Sequence, residues 1–294
     1  LSFSKPVVSH FGSTTYGFLK STPRTHCIDD NTKKIFYILR KKHVIPELNI
    51  QTRRPLRDVT EIERYVAQRA TKIIATSDQV RKELIDQQVN SENIIVIHNA
   101  IENFWFSKYD SQLKTPHLIF IGRLGNDSFT WKLKGLDRLL HVYQNFPDNP
   151  KLSFFMTTND KLDPWIQKNI HKHIGYYNLL KLEIKNILQQ YFGSIFLLTS
   201  RYEGFSLSLI EAMSQGLVPI VYPVGVASEI IVNDINGFIV QNQKEMVLRI
   251  KTLLFDSKKR LYMAHNSRAT AARFKVNLLV NSLINNYHNI IKTR

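Results

Sequence analysis

Two carboxylates, Glu203 and Glu211, stand with seven residues between them in the stretch Ser200-Arg201-Tyr202-Glu203-Gly204-Phe205-Ser206-Leu207-Ser208-Leu209-Ile210-Glu211-Ala212-Met213. The apolar run Ile195-Phe196-Leu197-Leu198 just before it reads as a buried strand. Leu207, Ile210, Ala212 and Met213 fit a helix that stops near Gly216, a residue type favoured just past a helix end. The segment is therefore strand, short polar loop, helix. Open α/β sheets bind ligands at the carboxyl ends of their strands. Backbone N–H groups around Gly204, at a helix N-terminus, favour an anion. Glu203 in the loop and Glu211 just over one turn into the helix bracket that anion. A carboxylate does not bind phosphate; it accepts hydrogen bonds from hydroxyls. Phosphate between two hydroxyl acceptors describes a sugar nucleotide, with a hexose at one end and a ribose at the other.

The same residues resemble the E-x7-E signature of retaining glycosyltransferases of family GT4, which have the GT-B fold. Gly216-Leu217-Val218-Pro219-Ile220-Val221, then Gly225 and Glu229, then Asn236-Gly237 continue that family's pattern in order. Upstream, Ile121-Gly122-Arg123-Leu124 and Lys134-Gly135-Leu136 resemble its G-R-L…K-G element. Two glutamates at this spacing are common by chance. Ordered matches across residues 119–240 are not.

The resemblance implies an α/β chain of two Rossmann-like domains facing a cleft. Residues 1–103 would form the acceptor-side domain and residues 104–275 the nucleotide-sugar domain. Residues 276–294 would form a helix crossing back to the first domain. His98-Asn99-Ala100-Ile101-Glu102 resembles the family's N-G-[IV]-D link, with Ala100 for glycine and Glu102 for aspartate. Only about 100 residues precede that link, without the opening glycine-rich β–α unit of a complete GT-B enzyme. The first domain is expected to be incomplete: the chain is a fragment or truly reduced, and its start at Leu1 favours the fragment.

Composition sets outer bounds. The chain has 294 residues, 43% of them hydrophobic, enough for one large or two modest domains. The single cysteine, Cys27, excludes intramolecular disulfides and C-x-x-C zinc sites, and suits a reducing compartment. No apolar run approaches the ~18 residues of a spanning helix. The net charge of +16 is spread over both halves: sixteen Lys/Arg against ten Asp/Glu in residues 1–100, and twenty-four against fourteen after them. Such a surface favours nucleic acid, anionic lipid or anionic substrates alike, and no nucleic-acid motif accompanies it. Lys33-Lys34 and Arg40-Lys41-Lys42 interleave with Ile35-Phe36-Tyr37-Ile38-Leu39, which reads equally as a segment for an anionic membrane surface or as a solvated face.

In chain order, a strand at residues 5–10 runs into the loop Gly12-Ser13-Thr14-Thr15. Several family members turn a histidine at the end of that strand toward the cleft, which gives His10 a role in orienting donor sugar or acceptor. A loop histidine with a local hydrogen bond is the other reading. Residues 16–57 show no clear pattern. Helical spacing of Ile62, Tyr65, Val66 and Arg69 predicts a helix over residues 61–70. A strand follows at 72–77, with Asp78 as cap of a helix over 80–87, and another strand at 93–97. In the second domain, strands are expected at 117–121, 152–156, 171–175, 195–198, 219–222 and 238–240. Residues 126–133 read as an insertion, 160–169 and 184–191 as helices, and 229–232 as the start of a short helix. His171 and His173 have i,i+2 spacing and no nearby carboxylate or cysteine, so the pattern does not read as a metal site.

The leaving group in transfer from a sugar nucleotide is a nucleoside diphosphate, whose bridging oxygen gains negative charge. Many transferases meet that charge with a metal held by D-x-D, and no D-x-D occurs here. Arg123 and Lys134 are expected to supply fixed cations instead, with no metal or other cofactor, aided by amides near Ser206, Leu207 and Ser208. By resemblance, Gly122 and Gly204 line the donor site, and Glu203 accepts from donor-sugar hydroxyls. Phe205 and Ser206 offer amides, and Glu211 binds both ribose hydroxyls. The family usually has glycine where Ser206 stands; a serine there narrows the sugar pocket. The expected function is metal-independent transfer of a hexose, with retention, from a UDP-sugar or related donor. The acceptor would be a cell-surface glycan or lipid-linked molecule of lipopolysaccharide, capsule or teichoic acid type. The expected location is cytoplasmic, peripheral at the inner face of the cell membrane. A sugar-nucleotide epimerase of the same fold and a non-catalytic nucleotide-binding remnant are the alternatives.

Overall fold

A computed structural model describes residues 5–21, 53–107, 115–123, 128–146, 151–157, 170 and 173–292, together with Lys34, Tyr37, Ile38 and Lys41. The expected helix over 160–169 lies outside the described residues, as do His171 and most of the basic segment at 33–42.

The first domain is a small parallel sheet of β1 (Val8–Phe11), β2 (Lys72–Ala75) and β3 (Ile94–Val96), in that order. Helices α1 (Thr15–Ser21) and α2 (Arg53–Arg69) separate β1 from β2, and α3 (Asp78–Asp86) separates β2 from β3. Its core holds Phe11, Ala67, Ile73, Ala75, Val80, Leu84 and Ile94. Two expectations need correction. The helix predicted from residue 61 begins at Arg53, and its periodic residues Ile62, Tyr65 and Val66 are exposed. Of the residues from 59 on, Ala67 and, just past the helix, Ala70 are buried, so the apolar stripe marks the outer face there. Ser77, not Asp78, caps α3: its extended backbone (φ −155°) lets its Oγ accept from the Val80 N–H at 3.2 Å.

The second domain is a six-stranded parallel sheet. Its strands are β4 (Leu118–Arg123), β5 (Leu152–Thr157), β6 (His173–Tyr177), β7 (Ile195–Leu198), β8 (Val218–Val221) and β9 (Phe238–Ile239). Their order is β6-β5-β4-β7-β8-β9. This is the doubly wound order, and its direction reverses between β4 and β7. Helices α4 (Ser128–Leu133), α5 (Leu136–Gln144), α6 (Lys181–Leu188), α7 (Leu207–Ser214) and α8 (Ala227–Ile230) connect the strands. The segment read as an insertion at 126–133 contains α4, which buries Trp131. Helices α9 (Gln243–Phe255), α10 (Ser257–Ala271) and α11 (Val276–Lys292) complete the chain. Ile101 and Trp105 already belong to the core of this second sheet, so the two cores divide within the link, ahead of Ile101. Ile101 bridges to Lys275 at the start of α11, and Tyr287 of α11 reaches His10 of β1. The last helix thus returns to the first domain.

The switch point opens because β4 and β7 stop pairing early. Their register covers only Leu118↔Ile195 and Ile119↔Phe196, although β4 pairs β5 as far as Arg123. The turn after α4 fills the gap. Thr199 Oγ1 donates to the Lys134 carbonyl at 2.8 Å, and the Arg201 N–H donates to the Leu133 carbonyl at 2.7 Å. Gly135 is essential to this contact. It sits at φ +67°, and a Cβ there would lie 2.0 Å from the Thr199 carbonyl oxygen. Gly135→Ala is therefore expected to destabilise the protein by about 3 kcal/mol, several degrees of melting temperature. A thermal melt of the variant that moves by less than a degree would contradict this packing.

Candidate active site

A cleft of about 540 Å³ lies at the carboxyl ends of β4, β5, β6 and β7. Gly122, Lys134, Glu203, Gly204, Phe205, Ser206, Leu207, Ser208 and Glu211 all line it. Gly12 and Ser13 face it from the first domain, and Asn99 faces it from the link. Arg123 ends β4 beside Gly122, but its side chain lies outside what the structure describes. His10 is not among the residues lining the cleft. Its Nε2 lies 2.6 Å from the Tyr287 hydroxyl on α11, so it joins the crossing helix to β1.

The loop from Thr199 to Ser206 is built from bonds that alternate in direction. Arg201 forms a bidentate pair with Asp137 at 2.7 and 2.6 Å and also donates to the Lys132 carbonyl. Arg138 donates to the Thr199 and Ser200 carbonyls and stacks on Tyr222. Burial lowers the Arg138 pKa, and the nearby Arg201 charge acts the same way. Tyr202 bonds the other domain: its hydroxyl accepts from the Thr14 N–H at 2.9 Å and lies 2.9 Å from Glu83 Oε2. Burial pushes this phenol's pKa upward, and the Glu83 carboxylate adds to the rise. Gly204 lies against Gly12 so closely that a Cβ would stand 1.9 Å from the Gly12 carbonyl oxygen. Its own carbonyl accepts from Ser77 Oγ at 2.5 Å.

The loop after β8 seals the same junction. Gly225 donates to Gln79 Oε1 at 2.6 Å. Glu229 accepts from the Asp78 N–H at 2.9 Å, where a carboxylate suits the N-terminus of α3, and its other oxygen lies 2.8 Å from His98 Nε2 in the link.

Within the cleft, the two cleft carboxylates differ. Glu203 Oε1 accepts from Lys134 Nζ and from Ser200 Oγ, both at 2.7 Å. The sequence reading gave Glu203 and Lys134 separate partners; the fold joins them. Glu211 points into the cleft from α7 and is only 7% exposed. Burial raises its pKa; Lys181 Nζ, 3.5 Å from Oε1, opposes the rise, and the Glu102 charge adds to it. Between them lies the N-terminus of α7, with Leu207 and Ser208 in its first turn. Ser206 precedes it at φ +82°, in the left-handed region that favours glycine, and its Oγ is buried with no partner among the described residues. The lining also includes a largely apolar group, Phe155, Met156, Tyr176, Leu179 and Ile184. A cleft that combines a paired carboxylate, helix amides, a buried carboxylate and an apolar recess can hold an extended, anionic, hydroxyl-bearing molecule.

Lys181, Asn99, Ser13 and the Tyr202–Glu83 junction were not found from sequence. Lys181 and Glu102 are 79 residues apart, and no motif links them. The pairing of Arg201 with Asp137 had a sequence signal only in the adjacency of each to a recognised motif.

The profile of the family described as Glycosyl transferases group 1 matches residues 102–270. A Klebsiella pneumoniae protein, described as an uncharacterized 41.2 kDa protein in the cps region, is 27% identical over 190 residues, 61% of this chain and 50% of that one. The chain spans about half the length of the curated relatives it matches. Among solved structures, sucrose-phosphate synthase from Thermosynechococcus elongatus is similar over 100% of this chain and 70% of its own, with a TM-score of 0.74 and 15% identity. Anabaena HepE, solved in complex with UDP and glucose, is similar over 97% of this chain and 72% of its own, with a TM-score of 0.69 and 16% identity. At such identities these two likenesses speak for the fold, which is GT-B. With more than half of its length matched by the family profile, over the sheet that carries the cleft, this chain belongs to the group 1 glycosyl transferases.

Proposed function

We propose that this glycosyltransferase moves a hexose, with retention of configuration and without a metal, from a nucleoside-diphosphate sugar, UDP-sugar being favoured. The observation that carries the reading is that one cleft is lined by Glu203 paired with Lys134, by the N-terminus of α7 that follows in the chain, and by Glu211 one turn further on. In this reading Glu203 accepts from sugar hydroxyls, and the diphosphate lies on the amides of residues 206–208. Glu211 accepts from the ribose, and the base enters the apolar recess. Lys134 shares its charge between Glu203 and the leaving diphosphate, with Arg123 as second cation. The HepE complex with UDP and glucose supports the donor class by analogy of fold.

The acceptor we propose is a cell-surface glycan or lipid-linked molecule of lipopolysaccharide, capsule or teichoic acid type. The Klebsiella relative in the cps region favours this class. A basic chain and the exposed apolar stripe Val59, Ile62 and Val66 on α2 suit work at an anionic cytoplasmic membrane face. No helix among the described residues is long and apolar enough to cross a membrane.

The deciding experiment is a thermal-shift titration with UDP, GDP, ADP and CMP and their sugar conjugates. One diphosphate is expected to stabilise the wild type, and Glu211→Ala to lose that shift; stabilisation surviving in the variant would remove Glu211 from the ribose. Lys134→Ala should lower donor-sugar hydrolysis about a hundredfold, while chelation with EDTA leaves the wild-type rate unchanged. A rate abolished by EDTA and restored by a divalent ion would refute metal independence.

Glu211 also predicts a pH dependence. Its raised pKa makes the ionised form a cost to folding at neutral pH, recovered as pH falls through the folded-state value towards the ordinary one. Glu211→Gln should therefore melt higher than wild type near pH 8 without ligand, the gap closing as the solution is acidified. Nucleotide affinity of the wild type should weaken over the same acid range, and the variant's weaker binding should be flat. A variant that melts lower at pH 8 would show that the buried charge is well compensated.

A further inference from the structure

Glu211 does not meet the cleft alone. Lys181, the first residue of α6, lines the cleft beside it, with Nζ 3.5 Å from Glu211 Oε1. Its closer bond, 2.8 Å, goes to Glu102 Oε1 in the inter-domain link. Glu102 is itself held by Trp105, whose indole N–H donates to Oε2 at 3.1 Å, and the Trp105 ring is fully buried. A chain of bonds thus runs from the second core, through the link, to the ammonium over the cleft. The groups stay charged. Burial alone would raise the Glu102 pKa and lower that of Lys181; their mutual hydrogen bond and charges, with the backbone and Trp105 bonds at Glu102 and the Glu211 carboxylate at Lys181, together outweigh it in both.

An ammonium has three N–H donors and no acceptor; a carboxylate only accepts; a hydroxyl does both. Lys181 commits one donor to Glu102 and keeps others for the cleft. A vicinal diol that gives its protons to Glu211 still has lone pairs to satisfy in a partly desolvated place, and Lys181 is the donor at hand.

We propose that Lys181 is a specificity-determining residue of the donor site. Together with Glu211 it reads the 2′,3′-diol of the nucleotide's ribose, donating to a hydroxyl whose proton goes to the carboxylate, while Glu102 holds it in position from the link. The proposal rests on the nucleoside-diphosphate reading of the cleft and adds a ribose-over-deoxyribose selectivity carried by a cation. Lys181 is half exposed at a helix start, so its replacement should leave the fold intact.

Isothermal titration with UDP, GDP and ADP, each beside its 2′-deoxy form, tests this on wild type, Lys181→Met and Glu102→Gln. The best-bound diphosphate should exceed its 2′-deoxy form by about tenfold in the wild type. The ratio should fall severalfold in Lys181→Met, mainly through weaker binding of the ribo form, the remainder being carried by Glu211. Glu102→Gln should lie between them. Equal weakening of both forms in Lys181→Met, or an unchanged ratio, overturns the proposal, since a general cation or a structural strut would behave so. A wild type that binds a diphosphate but ignores the 2′-hydroxyl overturns this inference and spares the nucleotide reading. A wild type that binds none of the six overturns both.

Discussion

Arg201 and Tyr202 are neighbours in the chain, and their side chains are bonded to different domains. Arg201 is clamped to Asp137 within the second sheet, and Tyr202 is buried against Thr14 and Glu83 of the first. Two residues later Gly204 touches Gly12 at backbone distance. The loop that carries Glu203 and leads to Glu211 is therefore part of the domain junction, and the geometry of the cleft depends on how the two domains meet. Removal of either anchor would free a loop whose backbone already includes a strained residue, Ser206.

Among the described residues, charge at the cleft is arranged as one ion pair and one cation shared by two carboxylates. Lys134 with Glu203, and Lys181 with Glu211 and Glu102, each place a cation beside a carboxylate. A carboxylate as buried as Glu211 is costly without such a neighbour. Pairs of this kind offer both donors and acceptors to hydroxyls, which an isolated ion cannot do.

Much of this was legible in the sequence, because it depends on local pattern. The strand Ile195–Leu198 was read to the residue, and Gly216 ends its helix at φ +71° as a C-terminal glycine should. Of the residues named for the cleft, those on the β7–α7 loop, with Gly122 and Lys134, line it together. What escaped was long-range. Ile62, Tyr65 and Val66 have the spacing of a core face and lie outside, since periodicity says that a face is apolar and not what covers it. His10 met α11 because the crossing helix brings Tyr287 over a distance of 277 residues. Lys181 and Glu102 come together only through the stacking of α6 on the link. Glu229 was recognised as part of a pattern, but its service as acceptor for the N-terminus of α3 required the other domain to be seen.

The most direct test is a crystal structure of the protein with UDP-glucose bound. The diphosphate should lie at the N-terminus of α7, within hydrogen-bond reach of the amides of residues 206–208. Glucose should lie toward Glu203 and Lys134, and the ribose on Glu211. A donor bound with its diphosphate away from α7, or with the sugar on Glu211 and the ribose on Glu203, would contradict the assignment of the cleft.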